Sequence, residues 1–365
     1  MKVLQLIHTP QLRGAEIFAA QLSDNLEQQG HSSKLLAIYD NTNAASYNRS
    51  CISIKANPDA RLWDRAAWKE LARVVEKEKP DIVQANAGDT LKYAVFSKLL
   101  FRWRQPLVFR NASTLSSYLK QPLQKVYTDF LFRQIDAVAS VSEYSRQDLV
   151  KLFPYLSARA KVIPIGLEKQ KVVNNPFPEA DPAQINLVHV GGFSFEKNHQ
   201  GLLRIFQQVL EQLPAAHLWL VGDGPMREEI TAMVADMGLQ EKVHFTGFVQ
   251  NPLDYIAHGK ALLLPSIIEG LPGVILEAML YKTPVIANKV GGIGEVVTPA
   301  KTGWLPECGD EKGFAEAIIE AVSRKDITGT ITQNAYQQVK GQYMNEDIAH
   351  SFIELYSGLL KQSLN

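Results

Sequence analysis

Apolar and polar positions along this chain alternate between two periods. Short runs rich in β-branched and aliphatic residues recur, and after most of them apolar residues return every three or four positions. This is the pattern of doubly wound α/β domains built on parallel sheets. In the first half VLQLIH, KLLAIY, DIVQA, PLVFRN, AVASVS and KVIPIG read as strands. Ala15 to Gln29 reads as a helix stopped by Gly30. After Gly166 the pattern lapses: LEKQKVVNNPFPEADPAQ is polar, carries three prolines and has no clear period. It restarts with INLVHVGG, HLWLVGDG, VHFTG, ALLLPS and PVIAN as strands, and beyond Asp310 it is mostly helical to about Leu360.

The expected organisation is therefore an N-terminal Rossmann-like domain over 1–168, a linker over 169–184 and a second Rossmann-like domain over 185–344. A C-terminal helix at about 345–363 is expected to pack back on the first domain. Two α/β domains of similar size predict a ligand cleft between the carboxyl ends of their strands.

The length of 365 residues agrees with two domains, since one core rarely organises so much chain. Lys plus Arg and Asp plus Glu both total 38. A chain of zero net charge has no global field for a nucleic-acid backbone, so that partner is not expected. Cys51 and Cys308 are the only cysteines. They make neither a disulfide framework nor a cysteine-rich zinc site and suit a reducing compartment. The first apolar run reads as a strand and not a signal peptide, and no stretch is long enough to span a bilayer. A cytoplasmic location is expected, with peripheral membrane contact open.

The densest chemical signal is LLLPSIIEGLPGVILEAMLYKTPVIA. An apolar strand ends at Pro265-Ser266, a loop holds Glu269, and a helix is expected to start near Gly273. The first amides of that helix, at Gly273 and Val274, have no intrahelical partner and sit at the positive end of the dipole, where phosphate binds. Glu269 before them and Glu277 one turn inside are placed to take a sugar hydroxyl and ribose hydroxyls, with the phosphates between. Read alone, Glu277 is equally a helix-surface charge and Gly273 a turn residue.

The segment resembles the E-x7-E motif of the large retaining GT-B glycosyltransferase family of the family 4 / group 1 type. Here it runs Glu269-Gly270-Leu271-Pro272-Gly273 through Glu277-Ala278. Other blocks follow in the family's order. RGAE, Arg13 to Glu16, resembles a GGAE loop that approaches the donor diphosphate and implies a role for Gly14. HVGGFSFEKNHQGLL resembles the block that supplies a diphosphate-binding lysine, which implies Gly191 and Lys197. LVGDGP, with Gly222 and Gly224, and FTGFV, with Phe248, resemble blocks that line the nucleotide pocket. GGIGEVV, Gly291 to Val297, resembles the block after the next strand. The resemblance implies the GT-B fold, with two Rossmann-like domains facing each other across a cleft. It also implies Glu269 and Lys197 as catalytic residues, and Gly270, Leu271, Pro272, Gly273, Val274 and Glu277 as donor ligands.

Several positions depart from that pattern. Arg13 stands for the first glycine of GGAE, and Gly192 for an arginine that commonly follows Gly191's counterpart. Arg110 and Asn111 follow a strand where a histidine is usual, and Asn86 stands where another is common. Ile165 replaces an asparagine at the linker entry, with Gly166 kept and Glu168 in place of an aspartate. His8, Arg110 and Asn111 are the acceptor-side candidates, and for His8 a purely structural role stays open.

The expected activity is transfer of a sugar from a nucleoside diphosphate sugar, UDP-linked before GDP-mannose, to a hydroxyl of a glycan or lipid-linked saccharide. Lys197 and the helix amides would offset the leaving group's charge, so neither metal nor other cofactor is expected. The competing readings are a non-catalytic nucleotide-binding subunit of the same fold, a sugar-nucleotide epimerase and a phosphorylase. Phe96 to Arg110 interleaves Lys98, Arg102 and Arg104 with Phe101 and Trp103, which suits either an anionic membrane surface or an ordinary solvated helix. Oligomeric state is not legible.

Overall fold

The computed structural model describes residues 1–11, 14–40, 49–60, 63–168, 172, 174–177 and 184–362. Arg13 and the greater part of the expected linker lie outside the described residues. The chain divides into two compact units. The first is Met1–Gly166 with Met344–Asn365, and the second is Leu167–Tyr343.

The first unit holds seven parallel strands: β1 (Lys2–Ile7), β2 (Ser32–Ala37), β3 (Cys51–Ser53), β4 (Ile82–Ala85), β5 (Leu107–Asn111), β6 (Ala137–Ser140) and β7 (Ala160–Val162), in the order β3-β2-β1-β4-β5-β6-β7. Helices cover both faces, so the central strands are buried along their length; Val3 to Ile7 are all buried, the polar Gln5 among them. The three-residue edge strand β3 escaped the sequence pattern because it is too short to show a period. The helix Arg65–Glu78 shows how local signals set an element. Asp64 caps it by accepting from Ala67 N–H at 3.0 Å, and it ends where Lys79 turns left-handed at φ 46°. Between the caps Ala67, Trp68, Leu71, Val74 and Val75 form one buried stripe. Each large member of it stabilises the unit by roughly 1.5–3 kcal/mol through burial. The first helix, Gly14–Gln28, ends in a Schellman motif. His31 N–H reaches Leu26 O and Gly30 N–H reaches Glu27 O, with Gly30 at φ 82°.

The C-terminal helix Asn345–Gln362 belongs to this unit, its Phe352 ring 5.7 Å from Phe18. A buried polar chain ties it to the sheet. Tyr356 Oη donates to Gln84 at 2.7 Å, Gln84 to Asn86 at 3.0 Å, and Asn86 to Gln5 at 3.0 Å. A network of that kind fixes one docking position, because a slipped helix would orphan its members.

The second unit holds β8 (Ile185–Val190), β9 (Ala216–Val221), β10 (Val243–Gly247), β11 (Ala261–Leu264) and β12 (Val285–Ala287), all parallel, in the order β10-β9-β8-β11-β12. These are the five strands that the restarted pattern predicts. Its core is built from Leu187, Leu218, Leu220 and Leu263 of the strands against Leu202, Phe206, Phe314 and Ile318 of the helices.

Candidate active site

The order of the second sheet places its switch point between β8 and β11. From β8 the chain winds outward through β9 to β10, then returns to the other side of β8. In open parallel sheets ligands bind at the carboxyl edge beside such a point. The loops leaving β8 and β11 meet there.

The β8 loop is shaped by glycines. A Cβ on Gly222, whose φ is 139°, would stand 2.1 Å from Gly191 O, and one on Gly224 would stand 2.7 Å from the backbone of Phe193. The turns after β8 and β9 therefore touch backbone to backbone, which only glycine permits. The loop then makes a short helical turn, Phe195–Lys197, and reverses at Asn198 in the left-handed region. Asn198 caps the helix His199–Gln212 by accepting from Gly201 N–H at 3.2 Å.

The β11 loop is clamped from three sides. Pro265 O accepts from Asn198 Nδ2 at 3.1 Å and from Asn288 Nδ2 at 2.8 Å. Ile267 N–H donates to Glu196 O at 2.8 Å, and Gly292 N–H donates to Gly270 O at 2.7 Å. Gly291 has φ 55°, and a Cβ there would fall 1.9 Å from Glu269 O. These clamps bring the two expected catalytic side chains together: Lys197 Nζ donates to Glu269 Oε1 at 2.6 Å. Charge-assisted bonds of this length are among the stronger hydrogen bonds.

Beyond Glu269, Gly270, Leu271 and Pro272 are buried and lead into the helix Gly273–Leu280. Pro272 occupies the N-cap position, and proline has no side-chain oxygen to satisfy the first amides. The N–H groups of Gly273 and Val274 thus open a helix end without a side-chain cap. Glu277 lies one turn in. The residue keeps part of its surface exposed, yet burial around its carboxyl pushes it up to about 7. Phe248 follows the left-handed Gly247 at the end of β10 and presents an exposed ring.

Below Lys197 lie two imidazoles that the sequence did not mark. His189, on β8, holds Leu263 O through Nδ1 at 2.8 Å, and its ring centroid is 4.7 Å from that of His199. His199 stacks on Phe193 at 4.2 Å. Burial drives His189 down to about 4 and His199 to about 2, with the Lys197 charge acting in the same direction, so both are neutral at pH 7. Asn198, Asn288 and Gly291 were likewise missed as loop clamps. An asparagine directly before a helical stretch is a capping signal that would have found the first.

In the first unit the candidates are differently placed. His8 leaves β1 with Nε2 at 3.5 Å from Asp89 and its ring 4.8 Å from Tyr39. Gly14 opens the first helix, and a Cβ there would meet nothing within 4 Å among the described residues, so none of these demands a glycine. Arg110 and Asn111, at the end of β5, are buried. The Arg110 guanidinium lies 3.8 Å over the Phe18 ring, and burial lowers it to about 9 against the opposing charge of Glu16. Asn111 Nδ2 donates to Ser145 O at 3.2 Å. Asn86 is committed to the polar chain under the C-terminal helix. A separate open depression of about 420 Å³ on the second unit, lined by Lys301 and four amide side chains, shares no residue with the Lys197–Glu269 cluster.

Two family models match the chain in tandem. Glycosyltransferase Family 4 matches residues 12–171, and Glycosyl transferases group 1 matches residues 184–324. N-acetyl-alpha-D-glucosaminyl L-malate synthase of Bacillus anthracis is 24% identical over 379 residues, covering 98% of this chain and 97% of that protein. The lipopolysaccharide core biosynthesis glycosyltransferase LpsD of Rhizobium meliloti is 25% identical over 221 residues, covering 58% of this chain and 63% of that protein. Among solved structures, HepE of Anabaena in complex with UDP-glucose superposes with a TM-score of 0.84 at 21% identity, covering 98% of this chain and all of that one. Matched in both halves and sharing that fold throughout, the chain belongs to the GT-B glycosyltransferases that join a family 4 half to a group 1 half.

Proposed function

We propose that this glycosyltransferase moves a sugar from a nucleoside diphosphate sugar, UDP-linked before GDP-linked, to a hydroxyl acceptor with retention at the anomeric carbon. The observation that carries the reading is the Lys197 ammonium, held 2.6 Å from Glu269 beside the uncapped start of the helix Gly273–Leu280. Both features are positive and both stand at the switch point of a parallel sheet. The UDP-glucose bound to HepE supports the donor class.

In the proposed reaction the bond between the anomeric carbon and the phosphate oxygen breaks, and its electron pair goes to the leaving diphosphate. Lys197 and the amides of Gly273 and Val274 offset that growing charge as fixed donors, the kind of electrostatic preorganisation that accelerates group transfer most. The acceptor oxygen bonds the anomeric carbon on the face the leaving group departs from, and its proton passes to a phosphate oxygen. Glu269 orients the donor sugar once the diphosphate has replaced it as partner of Lys197, and Glu277 takes the ribose hydroxyls. Gly191, Gly222, Gly224 and Phe248 line the nucleotide position, and Gly14 is kept as a donor-side candidate on its resemblance to the GGAE loop alone. No metal is required where a lysine and a helix terminus supply the positive charge.

The acceptor is assigned to a glycan or lipid-linked saccharide, in keeping with LpsD's role in lipopolysaccharide core biosynthesis. His8, half-exposed at the end of β1, is the most accessible of the acceptor-side candidates; Arg110 and Asn111 are buried at the end of β5. A panel of UDP- and GDP-sugars with purified protein, read as nucleotide release, tests the proposal. Release from one donor, abolished by Glu269→Ala and by Lys197→Ala, is expected. Nucleotide binding without release across plausible acceptors would overturn catalysis in favour of a binding subunit.

A further inference from the structure

The helix Pro122–Phe132 is held mainly by its last turn. Leu131 and Phe132 are buried, whereas every residue from Gln121 to Val126 is exposed. On that free part Leu123 shows 79% of its surface and Val126 68%, and Phe130 follows one turn later, also exposed. Spacings of three and four put the three on one helix face. The face continues onto a second helix. Phe130's ring lies 6.1 Å from that of Phe96 in the helix Gly88–Phe101, and the exposed Leu99 and Leu100 stand one turn beyond Phe96. An outward apolar patch spread over two helices marks a contact surface and is not ordinary scatter.

The charge around it is one-sided. Between Phe96 and Arg133 the sequence carries seven Lys or Arg and a single acid, Asp129, in a chain whose total charge is zero. Three of the seven are committed: Arg110 is buried, Lys98 pairs with Asp136 at 3.3 Å, and Arg133 pairs with Asp129 at 2.8 Å. Arg102, Arg104, Lys120 and Lys125 are exposed, and none forms an ion pair among the described residues.

We propose that this face docks on an anionic lipid bilayer, with Leu123, Val126 and Phe130 entering the headgroup boundary and the four exposed cations meeting lipid phosphates. Apolar side chains ringed by Lys and Arg are what interfacial binding requires. A second copy of the chain is a poor occupant, because a two-fold contact would set the same cations against each other. Among the described residues no helix is long and apolar enough to cross a membrane, so the contact is a surface one. The inference rests on the first unit alone and stands or falls independently of the donor site.

The test is sedimentation with vesicles of phosphatidylcholine alone and with one quarter phosphatidylglycerol, using the full chain. Binding to the anionic vesicles is expected, falling steeply with salt. Lys120→Gln with Lys125→Gln should weaken it about thirty-fold, at about 1 kcal/mol per cation near such a surface. Leu123→Ser with Val126→Ser should weaken it at least as far. All these positions are exposed, and circular dichroism and an unchanged urea midpoint verify that the variants fold. Failure of the wild type to bind anionic vesicles would overturn the proposal, as would equal binding by the variants. Concentration-dependent dimerisation abolished by the serine pair, without lipid binding, would assign the face to a second copy instead.

Discussion

Glu277 offers the sharpest test of the site's electrostatics, because one carboxyl ties stability to ligand affinity in opposite directions. Its folded value of about 7 stands above the 4.5 of an unhindered glutamate, and burial is the cause. A raised carboxyl favours the protonated form in the fold. The stabilising contribution is therefore complete below pH 4.5 and is lost as pH rises through about 7, where the fold must ionise a buried group. The gap corresponds to about 3 kcal/mol at full effect, or about 2 kcal/mol allowing for the surface the residue retains. Glu277→Gln has the shape of the neutral acid and removes the ionisation. Urea unfolding followed by tryptophan fluorescence should find the variant no more stable than wild type at pH 4.5, but about 2 kcal/mol more stable at pH 8.5. In the same variant affinity for UDP should fall about ten-fold, because an amide loses the charge-assisted bonds to ribose. Equal stability differences at the two pH values would refute the reasoning, since they would mean that the carboxyl titrates normally.

Further outcomes follow from the loops. Gly192 has no left-handed requirement, and a Cβ there meets only Asp223 O at 3.7 Å, an ordinary contact. Gly192→Arg should therefore fold normally and tighten UDP binding about ten-fold by adding a phosphate donor, measured by calorimetry. Gly291→Ala should lower the unfolding free energy measured in urea by about 2 kcal/mol or more and abolish nucleotide release, because its Cβ would strike Glu269 O. Exhaustive EDTA treatment should leave initial rates of nucleotide release unchanged; rates restored only by a divalent cation would contradict the assignment of phosphate charge to Lys197 and the helix amides.

Much of this fold was legible because parallel strands buried on both faces leave predominantly apolar runs, and most were followed by a helical period. What escaped was what period cannot encode. The strand Cys51–Ser53 is three residues at a sheet edge, too short to alternate. The pair at the site's heart joins residues 72 apart, and nothing in the spacing between Lys197 and Glu269 announces a 2.6 Å contact. That contact depends on clamps made by Asn198, Asn288 and Gly291, residues whose importance lies in backbone geometry. Arg110 stands where the resembled family usually has a histidine, and what the sequence does not show is that its guanidinium lies 3.8 Å over the Phe18 ring. A side chain's direction at a strand end depends on tertiary neighbours, here a helix laid across β5's end, and a single sequence does not reveal them.

The central claim is that a diphosphate takes Glu269's place on Lys197. Calorimetry of UDP and of uridine, with wild type and with Lys197→Ala, measures it most directly. The account predicts that wild type binds UDP at least a hundred-fold tighter than uridine, and that Lys197→Ala removes about ten-fold or more of that preference while leaving uridine unchanged. A preference that survives the substitution intact would contradict it, as would absence of binding by either ligand.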